Sequence, residues 1–147
     1  MSVYSQALLL YLSLVMVIGC RSEPTGESVH GRVTIAGEPM LEGLVTFQPI
    51  EETTGPKIST MIENGEYSIP PSEGIHAGLF RVEILGMPPG VKAMASGDLQ
   101  PQLASRGPTP YREVAAEFNF QSQLRAVLRS GVANQLDFQV KLADHRK

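Results

Sequence analysis

From Val29 to Ile35 apolar and polar positions alternate: Val29, Gly31, Val33 and Ile35 share one face of an extended segment, and His30, Arg32 and Thr34 the other. A period of two predicts a half-buried strand. Ala36-Gly37, followed by Glu38-Pro39, signals a turn. Leu44 to Gln48 forms the next strand, and Pro49 ends it because proline has no N–H to give a ladder. Lys57 to Ile62 reads as a third, weaker strand, and Asn64-Gly65 follows at once. That dipeptide is a strong hairpin signal, since both residues tolerate positive φ. Glu66 to Ile69 returns and is cut off by Pro70-Pro71. Leu79 to Leu85 places Phe80, Val82 and Ile84 inward, with Arg81 and Glu83 outward. Near the C-terminus Leu124, Ala126 and Leu128 alternate with Arg125, Val127 and Arg129. After Ser130-Gly131, Leu136, Phe138 and Val140 alternate with Asp137, Gln139 and Lys141.

Seven short strands with one wet face predict an all-β fold, a seven-stranded antiparallel Ig-like sandwich. Its core should centre on Val33, Ile35, Val45, Phe47, Tyr67, Phe80, Val82, Ile84, Leu124, Leu128, Leu136, Phe138 and Val140. The exception is the connection 86–121, rich in Pro, Gly, Ser and Ala; loops of this length are commonly functional or disordered. Within it, Tyr111 to Phe118 has the composition of a short helical turn after Pro110.

The opening of the chain breaks the alternation. From Ala7 to Gly19 every residue except Ser13 is apolar, aromatic or glycine, a run of 13. This is short of the roughly 20 residues of a membrane-spanning helix and fits the apolar region of a secretory signal, about 7–15 residues. No Lys or Arg precedes it, so only the α-amine supplies positive charge there. The run ends on Val17-Ile18-Gly19-Cys20, which holds the single cysteine of the chain. VIGC resembles the lipobox of bacterial lipoproteins. The resemblance implies a diacylglycerol on the Cys20 thiol, cleavage before it, and acylation of the new amine by a palmitate-type chain. The competing reading is a cysteine inside an ordinary signal peptide or membrane anchor. Each buried methylene contributes about 0.8 kcal/mol, so two or three chains anchor stably where one does not. In lipoprotein sorting an aspartate after the cysteine directs retention at the inner membrane; Arg21 stands there, which implies the outer membrane or periplasmic face of a cell envelope.

No residue before Cys20 is charged, so cleavage leaves the net charge at −3. That balance provides no basic footprint for nucleic acid, and no such partner is expected. One cysteine forms no intrachain disulfide for an oxidising compartment.

GRVTIAGEPMLEGLVTFQP places Gly31, Val33, Gly37, Pro39, Gly43, Val45, Phe47 and Pro49 at fixed intervals, with Met40 after the first proline. The stretch resembles the opening of carboxypeptidase-regulatory-like, transthyretin-like (prealbumin-like) β-sandwich domains. NGEYSI is similar to the hairpin of that family, with Asn64 where aspartate is common, and GIHAGLFRVEI to a later strand, with Ala77 for proline and Phe80 for tyrosine. The closing stretch, including Asn134, Asp137 and Phe138, resembles small bacterial envelope lipoproteins carrying this domain. These motifs are structural, so they imply a fold more than a function. The resemblance implies a binding, folding-support or adhesion-like module.

Candidate chemistry is sparse. His30 faces the polar side of its strand, His76 lies in a turn and His145 in a tail, without metal-ligand spacing. Glu51-Glu52 reads as a solvated loop. Glu63 and Glu66 flank the Asn64-Gly65 turn, but two carboxylates fall short of the 6–8 oxygens calcium usually takes. No nucleophile elbow or phosphate cradle is present, nor the convergent histidine-arginine motif of transthyretin-related hydrolases, and neither enzyme activity nor a cofactor is expected. Arg106, Arg112, Arg125 and Arg129 concentrate positive charge in the last third. The bland reading is a solvated face that blunts edge pairing; the sharper one is a contact for an acidic glycan or small ligand, with Tyr111 and Arg112 beside Arg125 and Arg129. The expected organisation is a signal peptide over 1–19, a lipidated tether over 20–27, a β-sandwich over 28–142 and a tail over 143–147. The expected role is a non-enzymatic, lipid-anchored envelope module, held to the membrane by its N-terminal lipid and contacting envelope protein or polysaccharide.

Overall fold

Alternation becomes strand wherever turn chemistry brackets it. In the computed structural model, which describes residues 26–88 and 113–144, the strands are β1 (Val29–Ile35), β2 (Glu38–Pro39), β3 (Glu42–Pro49), β4 (Ile58–Glu63), β5 (Glu66–Ile69), β6 (Gly78–Gly86), β7 (Arg125–Leu128), β8 (Asn134–Gln135) and β9 (Phe138–Val140). Two 3-10 turns, Pro71–Glu73 and Ala116–Phe118, are the helical segments among the described residues, and neither is long enough to cross a membrane. Residues 1–19, expected as a signal peptide, Cys20, positions 89–112 of the expected long loop with Tyr111 and Arg112, and His145 lie outside the described residues. Two hairpins have both turn residues in the left-handed region. Ala36 and Gly37 have φ of 52° and 87°, and Asn64 and Gly65 have 52° and 84°. This is the pair of positive φ values that matches the right-handed twist of the flanking strands.

Along hydrogen-bonded neighbours the order is β1-β5-β4-β3-β6-β7, antiparallel throughout. β2 folds back on the end of β1, while β8 and β9 run parallel to β1, pairing Val29 with Asn134 and Ile35 with Val140. The inner faces converge on one cluster. Phe47 on β3 lies 6.1 Å from Tyr67 on β5, 6.2 Å from Phe80 on β6 and 6.4 Å from Phe138 on β9, between ring centroids. Since β6 and β9 lie toward opposite ends of the strand order, these contacts require the sheet to curl into a half-barrel. Its open seam runs between β7 and β9. Residues 113–122 cross the upper part of that seam: Val114 bridges Leu142, Ala115 N–H donates to the Lys141 carbonyl at 3.0 Å, and the buried Ser122 hydroxyl donates to the Val82 carbonyl.

All the strands expected from alternation are present. Two extra ones arise because β2 is a two-residue return and because Asn134-Gln135 forms β8 ahead of the last expected strand, whose first two residues, Leu136-Asp137, leave the ladder. The break between β8 and β9 comes from contacts across the domain. The Leu136 carbonyl turns inward to accept the Tyr67 hydroxyl at 2.8 Å, and the Asp137 carboxylate caps the Arg32 N–H at 2.8 Å in its place. The last strand is also parallel to its neighbour rather than antiparallel. Of the expected core, Leu124, Leu136 and Phe138 are partly buried against it and the rest are buried; Val29, Met40, Ile58, Ile62, Ile69, Ile75, Val114 and Ala126 join them. At both ends of the described residues the main chain is bonded to the domain. Gly26 and Glu27 already bond the Pro71 and Ile75 carbonyls, and Ala143 bonds that of Glu113. Residues 113–121, expected as loop, include the 3-10 turn at Ala116–Phe118, a shorter helical segment than Tyr111 to Phe118.

Candidate functional site

β7 presents Arg125, Val127 and Arg129 to solvent while Ala126 and Leu128 are buried, the alternation of a strand with one wet face. Pairing with β6 sets Arg125 opposite Arg81 and Val127 opposite Leu79. Two like charges directly opposite would repel, and each guanidinium here has a carboxylate. Arg81 bonds Glu83 at 2.6 Å and Gln48 at 2.8 Å; Arg125 bonds Glu51 at 3.0 Å. Lys57 approaches the other Glu83 oxygen at 3.3 Å. Glu51 sits at φ 56° in the loop after β3, so a residue 74 positions away in sequence partners Arg125. Arg125 and Arg129 are therefore brought together on one face, with Arg125 already ion-paired. Tyr111 and Arg112, expected beside them, lie outside the described residues.

A second face was missed by sequence reasoning. Outward residues of β1, β4, β5 and the β8–β9 junction line a shallow, open concavity of about 870 Å³. Its floor carries His30 and Arg32 on β1, Ser68 and Glu66 on β5, and Gln135 and Asp137 beyond. Register explains the grouping: His30 pairs with Ser68 on one side and Gln135 on the other, and Arg32 pairs with Glu66, whose carboxylate lies 3.3 Å from the guanidinium. No single segment signals this, because the parallel docking of β8 completes it. The concavity mixes both charges with hydroxyl and amide groups, so its chemistry is hydrogen bonding to a polar surface.

The other candidates remain apart. His30 is exposed on β1 and His76 is exposed before β6. Glu63 and Glu66 face each other across the Asn64-Gly65 turn. Among the described residues no three His, Cys, Asp or Glu side chains are grouped to hold a metal ion. Among the described residues the clearest electrostatic perturbation is structural: burial raises the Tyr67 phenol above its ordinary pKa, and the nearby Asp137 carboxylate adds to the shift. Compared with models of protein families, with curated proteins and with solved structures, the chain gives no match.

Proposed function

We propose that this chain is a non-enzymatic, lipid-anchored module of a bacterial cell envelope with a structural or protein-interaction role. The observation that carries the reading is the 13-residue apolar run ending on VIGC, set just ahead of a β domain in which Gly26 already bonds the Pro71 carbonyl. On this reading the Cys20 thiol carries a diacylglyceryl group and the domain stands on a tether of a few residues. The domain is then a prealbumin-like sandwich. Support for that comes from β1, whose first half pairs with β5 and β8 and whose second half pairs with β2 and β9, as a strand passing between two layers would.

Intact mass and membrane fractionation from the native host, beside Cys20→Ser, test the anchor. The expected product starts at Cys20, carries the added diacylglyceryl mass and is released from membranes by the substitution. An unmodified soluble product, or one retaining residues 1–19, overturns it. A second reading, an acidic glycan or small ligand at the Arg125/Arg129 face, is favoured by the exposure of both arginines around Val127. A glycan screen with thermal-shift readout separates the two, because a bound ligand stabilises by RT ln(1 + [L]/Kd).

A further inference from the structure

Main-chain direction along β7 follows from its ladder. The Val82 N–H donates to the Leu124 carbonyl at 3.0 Å, and Phe80 and Gly78 pair with Ala126 and Leu128. In an antiparallel pair, alternate residues turn their main-chain groups toward the neighbour. Leu124, Ala126 and Leu128 therefore point at β6, while Arg125, Val127 and Arg129 point away from it. At Arg129 the outward groups are satisfied within the chain: its N–H donates to Asn134 Oδ1 at 2.8 Å, and Asn134 Nδ2 donates to its carbonyl at 3.1 Å. No hydrogen bond joins the outward main-chain groups of Arg125 and Val127 to any described residue. Beside this open edge Val127 is 62% exposed, and Val132 in the following turn is 52% exposed.

We propose that the β7 edge is a docking site for an extended segment of a partner protein that presents acidic, apolar and acidic residues in alternation. Strand addition of this kind draws affinity from main-chain hydrogen bonds and specificity from alternate side chains. A second copy of this chain is the wrong occupant. Antiparallel self-pairing centred on Val127 sets Arg125 opposite Arg129 of the copy, and like charges directly opposite are destabilising. A strand with carboxylates at those two positions and an aliphatic residue between them meets both arginines and covers Val127. The chain itself shows the preference, since Arg125 holds the Glu51 carboxylate in a pair whose side chains are 60% and 62% exposed. Exposed pairs of this kind contribute little, so an incoming carboxylate exchanges with Glu51 at small cost.

The inference rests on the protein-interaction reading above, and its test leaves that reading separable. The probe is the peptide acetyl-Thr-Glu-Thr-Val-Thr-Glu-Thr-amide, beside the same peptide with lysine for glutamate. The readout is hydrogen exchange and binding on the full chain as its host makes it. The expected result is slowed exchange at Arg125 and Val127, with the glutamate peptide bound about tenfold more tightly than the lysine peptide. Arg125→Glu/Arg129→Glu should invert that order. Val127→Pro should abolish binding of both peptides, because the N–H it removes faces away from β6 and the ladder is kept. Edge amides already protected in the free chain, protection confined to the β1–β5 concavity, no binding, or equal binding of the two peptides would each overturn the proposal. Those outcomes leave the module free to use another face; an unmodified, unanchored chain refutes the envelope reading whatever the peptides do.

Discussion

The Tyr67 hydroxyl is the polar contact that fixes the inward turn of Leu136, and the ring around it is buried against Phe47 and Phe138. Removing it in Tyr67→Phe leaves a buried carbonyl without its donor, at a cost of about 1–2 kcal/mol, or roughly 5–10 °C in Tm. The raised phenol pKa sets the sign of the pH effect. Below pH 10 the phenol is protonated in folded and unfolded chains alike. Above it the unfolded chain ionises first, so stability falls as pH rises. Tyr67→Phe lacks that loss, and thermal melts from pH 8 to 11 should show the gap between the two proteins narrowing above about pH 10. A second residue carries backbone strain. Ala36 occupies the same left-handed position as Asn64, at φ 52°, without a side chain suited to it. Ala36→Asn should raise stability by about 0.5–1 kcal/mol, read as a shift in urea midpoint with unchanged slope.

Elements were legible where their causes are local. β1, the Asn64-Gly65 hairpin, β5 and β6 follow from alternation and turn residues within a few positions, and they lie where the pattern set them. β8 and β9 were not legible as two parallel pieces, because their cause is a contact across the domain. A Cβ on Gly31 would stand 1.8 Å from the Leu136 carbonyl oxygen, so that carbonyl turns inward only because β1 has no side chain there. Alternation in sequence sees Gly31 as one more inward position; the occupant of its space is 105 residues away. Gly31→Ala should therefore detach β8 and β9 while sparing the β3-β4-β6 ladders. Hydrogen exchange should quicken at Leu136, whose N–H bonds the His30 carbonyl, well before it quickens at Val45. A uniform loss of protection would contradict this division. The candidate site was divided in the same way: the outward arginines of β7 were readable from period two, whereas Glu51 as the partner of Arg125 and the whole β1–β5 concavity depended on folding.

At the scale of the molecule the two ends of the half-barrel are unlike. Gly26, Pro71, Ile75 and the Ser130-Gly131 turn gather at one end, where the Glu27 carboxylate bonds Ser130 at 2.9 Å and the Gly131 N–H at 3.0 Å. The Asn64-Gly65 turn and Met87, bonded to Glu42, lie at the other. Six residue steps separate Cys20 from Gly26, which bounds their separation at about 20 Å in a trans chain. If Cys20 is acylated, spin labels placed at Ser130→Cys should be broadened by paramagnetic lipid more than labels at Asn64→Cys. Equal broadening would mean that the domain does not stand on this end.

The pairing of β1 with β8 and β9 also sets an order of events. The first strand of the domain is completed by the last, across about 100 residues of intervening chain. At about 5–20 residues per second, a chain emerging from its N-terminus leaves that side of β1 without its partner for roughly 5–20 s. Until then the half-barrel lacks the strands that flank this side of β1, and its core lacks Phe138 and Val140.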